Sequence, residues 1–391
     1  MKKSMMVLAA VYASFIALGM PDGAFGVAWP SIRYEMYLGH GQAFFLVLTH
    51  SVFFSITCSQ MGRLATWFKL PNVNMLGLMF IMLGIGTFAL SPNLYFLLIS
   101  TMVMGVGMGM VDSGLNAFAA KHFSVWHMNW LHCFWGLGGA ISPIIMSQMV
   151  LLAGWRRGYV SVLAVQAIIG VFVLITLLKG FWVMYSDDKN EEISAVAENK
   201  IYLEKKRYPI IQIIIILIYV GFEYAITFWT TSVMFEARGL GIEIAGLYPA
   251  VYLGAITGGR FVMGYVSNKF SNISIIRFGV LLSVIGLIIL TVSNNIIGMA
   301  FIGFGFGPIF PCLMHETSNR FSPDATTKLV GYQVAAAGIG VGASTFGMAR
   351  LLEGVSLNAL FPAVIVAMVL VFLLNEVIEA AMKKKRLKLT L

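Results

Sequence analysis

Long apolar stretches alternate with short polar breaks along the whole chain. Each stretch is about 20 residues long, the length of an α-helix that crosses a hydrocarbon layer about 30 Å thick. Twelve stretches can be counted, and we number them as spans 1 to 12. They cover residues 5–27, 42–66, 73–91, 94–118, 130–153, 158–183, 209–235, 245–267, 273–292, 295–316, 327–350 and 356–381. The pattern predicts an all-α membrane protein with twelve transmembrane helices.

The composition agrees with this class. Hydrophobic residues make up 59% of the chain and charged residues 11%, and the mean hydropathy is +0.86, whereas soluble domains carry about 25% charged residues. No small-residue cleavage site follows span 1, so we expect a retained helix and not a signal peptide. The three cysteines lie in separate spans without metal-ligand spacing, and we expect neither a metal nor another cofactor.

The basic residues predict the orientation in the membrane. The net charge is +9, and in a membrane chain Lys and Arg mark the cytoplasmic loops. Most lie at the termini or at even-numbered breaks; the few at odd-numbered breaks are Arg33, Arg156, Arg157, Arg238 and Arg350. We therefore expect a multi-pass protein of the inner (plasma) membrane, with both termini and the central loop in the cytoplasm.

The spans fall into two sets of six. One polar segment divides them, and it predicts an N-terminal bundle (1–184), a cytoplasmic linker (185–208) and a C-terminal bundle (209–391). Three glycines of span 4 recur in span 10 at an offset of 198 residues: Gly105, Gly107 and Gly109 match Gly303, Gly305 and Gly307. This repeat favours two parallel six-helix units. Small residues also let helices approach closely, so each glycine alone has a packing explanation.

Two aspartates lie inside apolar spans. An aspartate at the centre of a spanning helix costs roughly 2.5–3.5 kcal/mol, so such residues usually mark ion or substrate pathways. Asp22 of span 1 follows Pro21, which predicts local unwinding; the alternative is a carboxylate that reaches interfacial water. Asp112 and Asn116 of span 4 lie four residues apart and share a helix face. For Asp112 the alternatives are a structural salt bridge and cytoplasmic exposure.

Glu223 and His132 complete the candidate proton-coupling set with Asp22 and Asp112. Glu223 lies near the middle of span 7. His132 opens span 5, and its imidazole could share a proton with an acid, although a histidine at a helix start is more often structural.

Amides and aromatic rings are the usual partners of sugar hydroxyls. The candidate substrate-binding residues are Asp22, Trp29, Asn116, Trp135, Trp229, Tyr332 and Gln333. Tryptophan and tyrosine are also enriched at membrane interfaces for physical reasons alone.

These residues resemble the fucose–galactose–glucose proton symporter branch of the major facilitator superfamily and its glucose-transporter-like relatives. The motifs are Gly105-x-Gly107-x-Gly109-x-x-Asp112-x-x-x-Asn116, His132-x-Phe134-x-Gly136, Glu223 with Trp229, Gly259-Arg260 and Gly307-Pro308-Ile309-Phe310-Pro311. The loops after spans 2 and 8 resemble the family's loop motif, with Thr66 and Asn268 in place of its aspartate. The resemblance implies the major facilitator fold, Asp22 as the substrate-linked acid and Asp112 as the protonation site.

The predicted function is secondary active transport: proton-coupled symport of a sugar or similar small polar solute by alternating access. Partners would be the solute, protons or sodium, and the lipid bilayer; we expect a monomer and no nucleic acid. The main alternative is a proton-coupled antiporter that exports drugs or other amphipathic compounds, because 24 methionines and 29 phenylalanines could line an adaptable cavity. We expect no enzyme, since the sequence shows no nucleophile–base–acid spacing, phosphate loop or metal constellation.

Overall fold

The computed structural model of the protein describes residues 2–123, 125–185, 202–203, 205, 207–266 and 269–390, and these contain helices and turns but no strand. The α-helices of the described residues are α1 Lys2–Glu35, α2 Gln42–Ser59, α3 Met61–Phe68, α4 Leu70–Ala89, α5 Leu94–His122, α6 Val125–Ala153, α7 Trp155–Leu178, α8 Arg207–Ser232, α9 Ile242–Ala245, α10 Leu247–Val266, α11 Asn272–Val292, α12 Ile297–Arg320, α13 Pro323–Gly354 and α14 Leu360–Thr390. A π-helical turn, Val233–Ala237, extends α8.

The prediction of twelve transmembrane helices is confirmed. Eleven described helices are long and apolar enough to cross a bilayer, and the 20-residue α10 supplies the remaining span. Span 2 differs from its predicted extent, because α2 ends at Ser59 and the short α3 follows after Gln60. α9 is a single turn that leads into α10.

The predicted unwinding around Pro21 is wrong. α1 runs unbroken through Pro21 and Pro30. A proline removes one backbone hydrogen bond, and in a membrane protein neighbouring helices can stabilise the helix around it. α6 provides this support, because a Cβ atom on Gly23 would lie 2.2 Å from the Gly139 carbonyl oxygen. The start of α6 also differs, since Val125 begins the helix and His132 lies two turns inside it.

The glycine repeat appears in the structure as matched helix packing. A Cβ atom on Gly107 of α5 would lie 2.6 Å from the Gly77 carbonyl oxygen of α4. In the second half, a Cβ atom on Gly305 of α12 would lie 2.4 Å from the Gly279 carbonyl oxygen of α11. The equivalent helix pairs of the two six-helix bundles therefore approach each other through the same glycine positions.

Both termini lie at one end of the bundle, because an even number of spans separates them. We call this the terminal end and the opposite one the distal end. At the distal end an arginine of each half binds the turn between two helices. Arg156 donates to the Ser91 carbonyl between α4 and α5, and Arg238 donates to the Ser293 carbonyl between α11 and α12, each at 2.8 Å. The two arginines come from different helices of their halves, α7 in the first and the end of α8 in the second.

A buried polar cluster lies at the terminal end of the second half. Arg320 is fully buried and donates to Gln212 at 2.6 Å, Asn375 at 2.7 Å and Glu379 at 2.7 Å. The backbone N–H of Leu203 donates to the Arg320 carbonyl at 2.8 Å, which attaches the end of the linker to α12. Most of the predicted linker, 185–208, lies outside the described residues, and the domain boundaries stay predictions.

Candidate transport pathway

Asp22 lies well inside the membrane-spanning part of α1. Thirteen residues separate it from the helix end at Glu35, which corresponds to about 20 Å of helix. The carboxylate therefore does not lie at the distal interface. It lines a cavity of about 40 Å³ together with polar groups of α2, α7 and α8, namely His50, Tyr159 and Tyr224. A cavity of this size holds ordered water when polar groups line it.

Asp112 and Asn116 are paired on α5, as their spacing predicts. The Asn116 side-chain amide donates to the Asp112 carboxylate at 3.0 Å and to its backbone carbonyl at 2.9 Å. Asp112 is also close enough to Asp22 for the two carboxylates to interact electrostatically. Within the described part of the chain, neither aspartate forms a salt bridge with a basic side chain. The salt-bridge alternative for Asp112 therefore has no support there.

Glu223, in contrast, faces a basic residue. The Arg260 guanidinium of α10 donates through Nη2 to the Glu223 carboxylate at 3.3 Å, and both side chains are 15% exposed. Its Nε donates to the Gly307 carbonyl at 3.4 Å. In the sequence, Arg260 stands out only as part of the Gly259-Arg260 motif. A cation inside an apolar span was the signal that would have identified it as a site residue.

Trp135 of α6 connects the two halves. Its side chain lies close enough to the Asp22 carboxylate to interact with it electrostatically. The Arg260 guanidinium lies over its ring, 5.6 Å from the centroid, within the range of a cation–π interaction. His132, one turn earlier, is exposed, interacts electrostatically with Arg260 and meets Phe15 edge-on at 5.9 Å. Asp22, Trp135, Arg260 and Glu223 thus form one continuous chain of contacts.

The other predicted binding residues do not gather around this chain. Trp29 and Trp229 are fully buried, and neither indole N–H has a hydrogen-bond partner among the described residues. Gln333 is fully buried and bonded to Thr317 of α12, with its amide nitrogen 3.0 Å from the hydroxyl. Tyr332 is 63% exposed. In this conformation Trp29, Trp229 and Gln333 belong to packed interfaces and not to open space.

Side chains of both halves meet at the distal end, in a group that sequence reasoning missed. Arg33 of α1 forms an ion pair with Glu236 in the turn after α8, and His40 lies 3.6 Å from the same carboxylate. The backbone N–H of Gly41 donates to Glu353 at 3.1 Å. We call Arg33, His40, Glu236 and Glu353 the distal gate. Burial, followed by the nearby Arg33, lowers the pKa of His40 from 6.5 to about 4.

Aromatic packing supports the distal gate, whereas the terminal end is more open. Phe44 of α2 and Phe346 of α13 pack across the halves with ring centroids 5.0 Å apart. Towards the terminal end His132 and Tyr332 are exposed, and a Cβ atom on Gly331 would have no neighbour within 4 Å. The structure is therefore closed at the distal end.

Comparison with known proteins gives two relatives that are both described as probable transporters. The chain is 26% identical to the "Probable sulfoacetate transporter" of Cupriavidus necator over 271 residues, 62% of this chain and 60% of the relative. It is 25% identical to the "Probable L-galactonate transporter" of Escherichia coli over 101 residues, 24% of this chain and 20% of the relative. The matched region thus spans less than two thirds of either relative.

Solved structures and a family model identify the fold. FucP, a major facilitator transporter solved in the outward conformation, covers 96% of this chain and 99% of its own, with a TM-score of 0.62 and 15% identity. The structure of the peptide transporter POT matches 95% of this chain and 94% of its own chain, with a TM-score of 0.71 and 10% identity. The model of the Major Facilitator Superfamily matches residues 11–345. The chain therefore belongs to the major facilitator superfamily.

Proposed function

We propose that this transporter is a proton-coupled symporter that takes up a sugar or similar small polar solute by alternating access. The observation that carries the proposal is the presence of two membrane-embedded aspartates, Asp22 and Asp112, with no basic partner in the described residues. An uncompensated charge in a low-dielectric region is costly, and proton binding removes it. Such carboxylates are suited to bind a proton on one side of the membrane and release it on the other.

Glu223 differs from these two acids because it faces Arg260. An ion pair keeps both partners charged without a proton from solution. We therefore assign proton transfer first to Asp22 and Asp112. Glu223 and His132 stay predictions as protonation sites.

The proposed orientation of the chain assigns its two ends to the two sides of the membrane. The excess of Lys and Arg at the termini and even-numbered breaks supports a cytoplasmic terminal end, and we propose an inner-membrane location. The closed distal gate then corresponds to an inward-facing conformation. In the proposed cycle, solute and proton bind from outside, the distal gate closes, and both are released at the terminal end.

The polar side chains near the aspartates support a polar solute. Asn116 offers an amide and Trp135 a half-buried ring, which suit hydroxyl groups and the apolar face of a sugar ring. The two curated relatives carry the names of sulfoacetate and L-galactonate, both small polar compounds. We extend that substrate class, and not either compound, to this chain.

Transport by purified protein in liposomes tests the proposal. An acidic outside pH should drive the accumulation of one radiolabelled solute from a panel of sugars and sugar acids. A sodium gradient without a pH gradient should not drive this accumulation. Asp112→Asn should abolish pH-driven accumulation but retain solute exchange at equal pH. Glu376→Gln is the matched control, because Glu376 pairs with Arg277 at the exposed side of α14. Accumulation that survives in Asp112→Asn would refute proton coupling at this residue, and proton-driven export of lipophilic cations would support the antiporter alternative.

A further inference from the structure

Two arginines of the second half have side chains that are largely enclosed by protein, and they differ in how completely the protein binds them. Arg320 is fully buried, and each of its three side-chain nitrogens has an acceptor. Nε and Nη2 donate to Glu379 at 3.1 and 2.7 Å, Nη1 donates to Gln212 at 2.6 Å, and Nη2 also donates to Asn375 at 2.7 Å. This is the pattern of a structural arginine, whose donors are used within the protein.

Arg260 is bound incompletely. Its Nη2 donates to Glu223 at 3.3 Å and its Nε to the Gly307 carbonyl at 3.4 Å, whereas charge-assisted hydrogen bonds usually measure about 2.7–2.9 Å. Among the described residues Nη1 has no acceptor, yet it is not fully buried. The side chain is 15% exposed. The edge of the guanidinium that Nη1 and Nη2 form is therefore open to a ligand.

Arg260 lies at the contact between the two halves. One turn before it on α10, the Thr257 hydroxyl would lie 2.0 Å from a Cβ atom on Gly136 of α6. The Arg260 guanidinium lies over the ring of Trp135, also on α6, 5.6 Å from the centroid. Its hydrogen bonds reach α8 and α12 of its own half. Helices of both halves thus surround the guanidinium, and transporters built from two repeats bind their solutes between the halves.

We propose that Arg260 binds the solute through a carboxylate, so that the solute is a sugar acid or another small organic anion and not a neutral sugar. The inference rests on the proposed function, whose solute class it narrows. A planar carboxylate fits the Nη1–Nη2 edge with two parallel hydrogen bonds. The half-buried ring of Trp135 beside the guanidinium offers an apolar surface for the carbon skeleton of the solute.

The charges around Arg260 link anion binding to proton binding. One guanidinium compensates one carboxylate, and Glu223 already has this position. A bound anion places a second carboxylate beside the same cation, and an uncompensated charge in a low-dielectric region is costly. A proton from solution that forms an O–H bond on the Glu223 carboxylate removes the excess charge. Anion and proton should therefore bind together, while no covalent bond of the solute changes.

Other titratable groups face Arg260 and Glu223 from the surrounding helices. They are Asp22 on α1, Asp112 on α5, His132 and Cys133 on α6, Tyr219 and Tyr224 on α8, and Tyr252 on α10. A pH response of the wild type alone would not isolate Glu223. The test therefore compares variants that differ in one group.

Binding of matched pairs of compounds to the purified full-length protein tests the inference. The pairs are D-galacturonate with D-galactose, D-glucuronate with D-glucose, and D-gluconate with D-glucitol, and the members of each pair differ in one carboxylate. The rise of Tm with ligand concentration gives the Kd of each compound. At pH 6 the acid of at least one pair should bind about tenfold or more tightly than its neutral partner.

Arg260→Gln removes the charge and the open edge. It should weaken binding of that acid about tenfold or more and change the Kd of the neutral partner less than about threefold. Arg260→Lys keeps the charge without the planar edge, and its Kd for the acid should lie between those of the wild type and Arg260→Gln. Arg277→Gln is the matched control, because Arg277 is 50% exposed and pairs with Glu376, and it should bind as the wild type does.

Glu223→Gln tests the inference while Arg260 stays in place. The amide imitates the protonated carboxyl group, so this variant should bind the acid about equally at pH 6 and pH 8, within about threefold. In the wild type the affinity for the acid should fall about tenfold or more over the same interval, because Glu223 loses its proton.

Four outcomes would overturn the inference. They are neutral compounds that bind as tightly as their acids, an equal loss of acid and neutral binding in Arg260→Gln, wild-type pH dependence in Glu223→Gln, and no binding of any acid to either the wild type or Glu223→Gln. The proposed function is judged separately, by accumulation in liposomes. Proton-driven accumulation of a neutral sugar would support symport and remove the inference, whereas acid binding at Arg260 without proton-driven accumulation would support the inference and refute symport.

Discussion

Arg33 and Glu236 form an ion pair that joins the two halves at the distal end, and their side chains are only 16% and 7% exposed. The partners come from α1 and from the turn after α8, so the pair exists only while the halves are together at this end. A transporter that alternates between two open states has to break and remake this contact in every cycle. The distal gate is therefore the part of the structure where single substitutions should shift the conformational equilibrium most.

Replacement of Glu236 by glutamine should open the distal end. The substitution leaves Arg33 buried without its counter-charge, which costs roughly 3 kcal/mol, at the lower end of the range for a broken buried pair. Spin labels attached at Tyr37→Cys and Val355→Cys, two exposed positions in the distal loops of the two halves, report this opening. The distance between the two labels should lengthen. Glu353→Gln serves as the control because Glu353 is 32% exposed, and its loss should cost less than about 1 kcal/mol. Equal effects of the two substitutions would contradict the assignment of the ion pair as the main distal contact.

His40 should make the distal gate sensitive to acid. Burial and Arg33 lower its pKa from 6.5 to about 4 in this structure, so the closed gate favours the neutral imidazole. The resulting stabilisation is fully present above pH 6.5 and is lost as the pH falls from 6.5 towards 4. The distal-closed population should decrease over this interval. In His40→Gln the distal-closed population should not decrease between pH 6.5 and 4 for this reason. If its dependence on pH is identical to that of the wild type, His40 does not titrate with the gate.

The length and spacing of the apolar stretches were enough to predict the fold, because a bilayer imposes a minimum helix length and a satisfied backbone. The spacing of the apolar residues did not determine whether α1 is continuous, and packing against other helices did. Pro21 and the neighbouring glycines suggested a broken helix by propensity alone, yet contacts such as that between Gly23 and Gly139 keep α1 continuous. Local propensity is outweighed where another helix supports the backbone.

The buried Arg320 should matter far more for stability than an exposed arginine of the same half. Arg320→Met leaves Glu379, Gln212 and Asn375 without their shared partner, and such a loss costs roughly 3–5 kcal/mol. Arg277→Met removes a pair with Glu376 in which Arg277 is 50% exposed, and should cost less than about 1 kcal/mol. Thermal unfolding in detergent compares the two. A similar drop in Tm for both variants would show that the buried cluster is not a stabilising centre.

Two adjacent glycines of α10 should respond oppositely to alanine. A Cβ atom on Gly259 would lie 2.6 Å from the Phe304 carbonyl oxygen of α12, whereas one on Gly258 would have no neighbour within 4 Å. Gly259→Ala should therefore destabilise the second half by about 1–3 kcal/mol through overpacking. Gly258→Ala should be neutral or slightly stabilising. Thermal unfolding of both variants gives the comparison, and a stable Gly259→Ala protein would contradict the close approach of α10 and α12.

The candidate site could be predicted only where its contacts are local. The pairing of Asp112 with Asn116 follows from a spacing of four residues on one helix, and the structure has it. The contacts of Trp135 with Asp22 and Arg260 join three different helices. No periodicity within a single span contains that information. Gln333 is likewise bonded to Thr317 of another helix, a contact that the pattern of its own span does not contain, and its role in binding stays a prediction.

The external pH of de-energised vesicles tests most directly whether a polar solute and a proton enter together through Asp22 and Asp112. Addition of a transported sugar or sugar acid should make the external medium more alkaline in the wild type, and Asp112→Asn should lose the signal while still exchanging solute. Acidification or an unchanged pH during measurable solute entry would contradict proton symport.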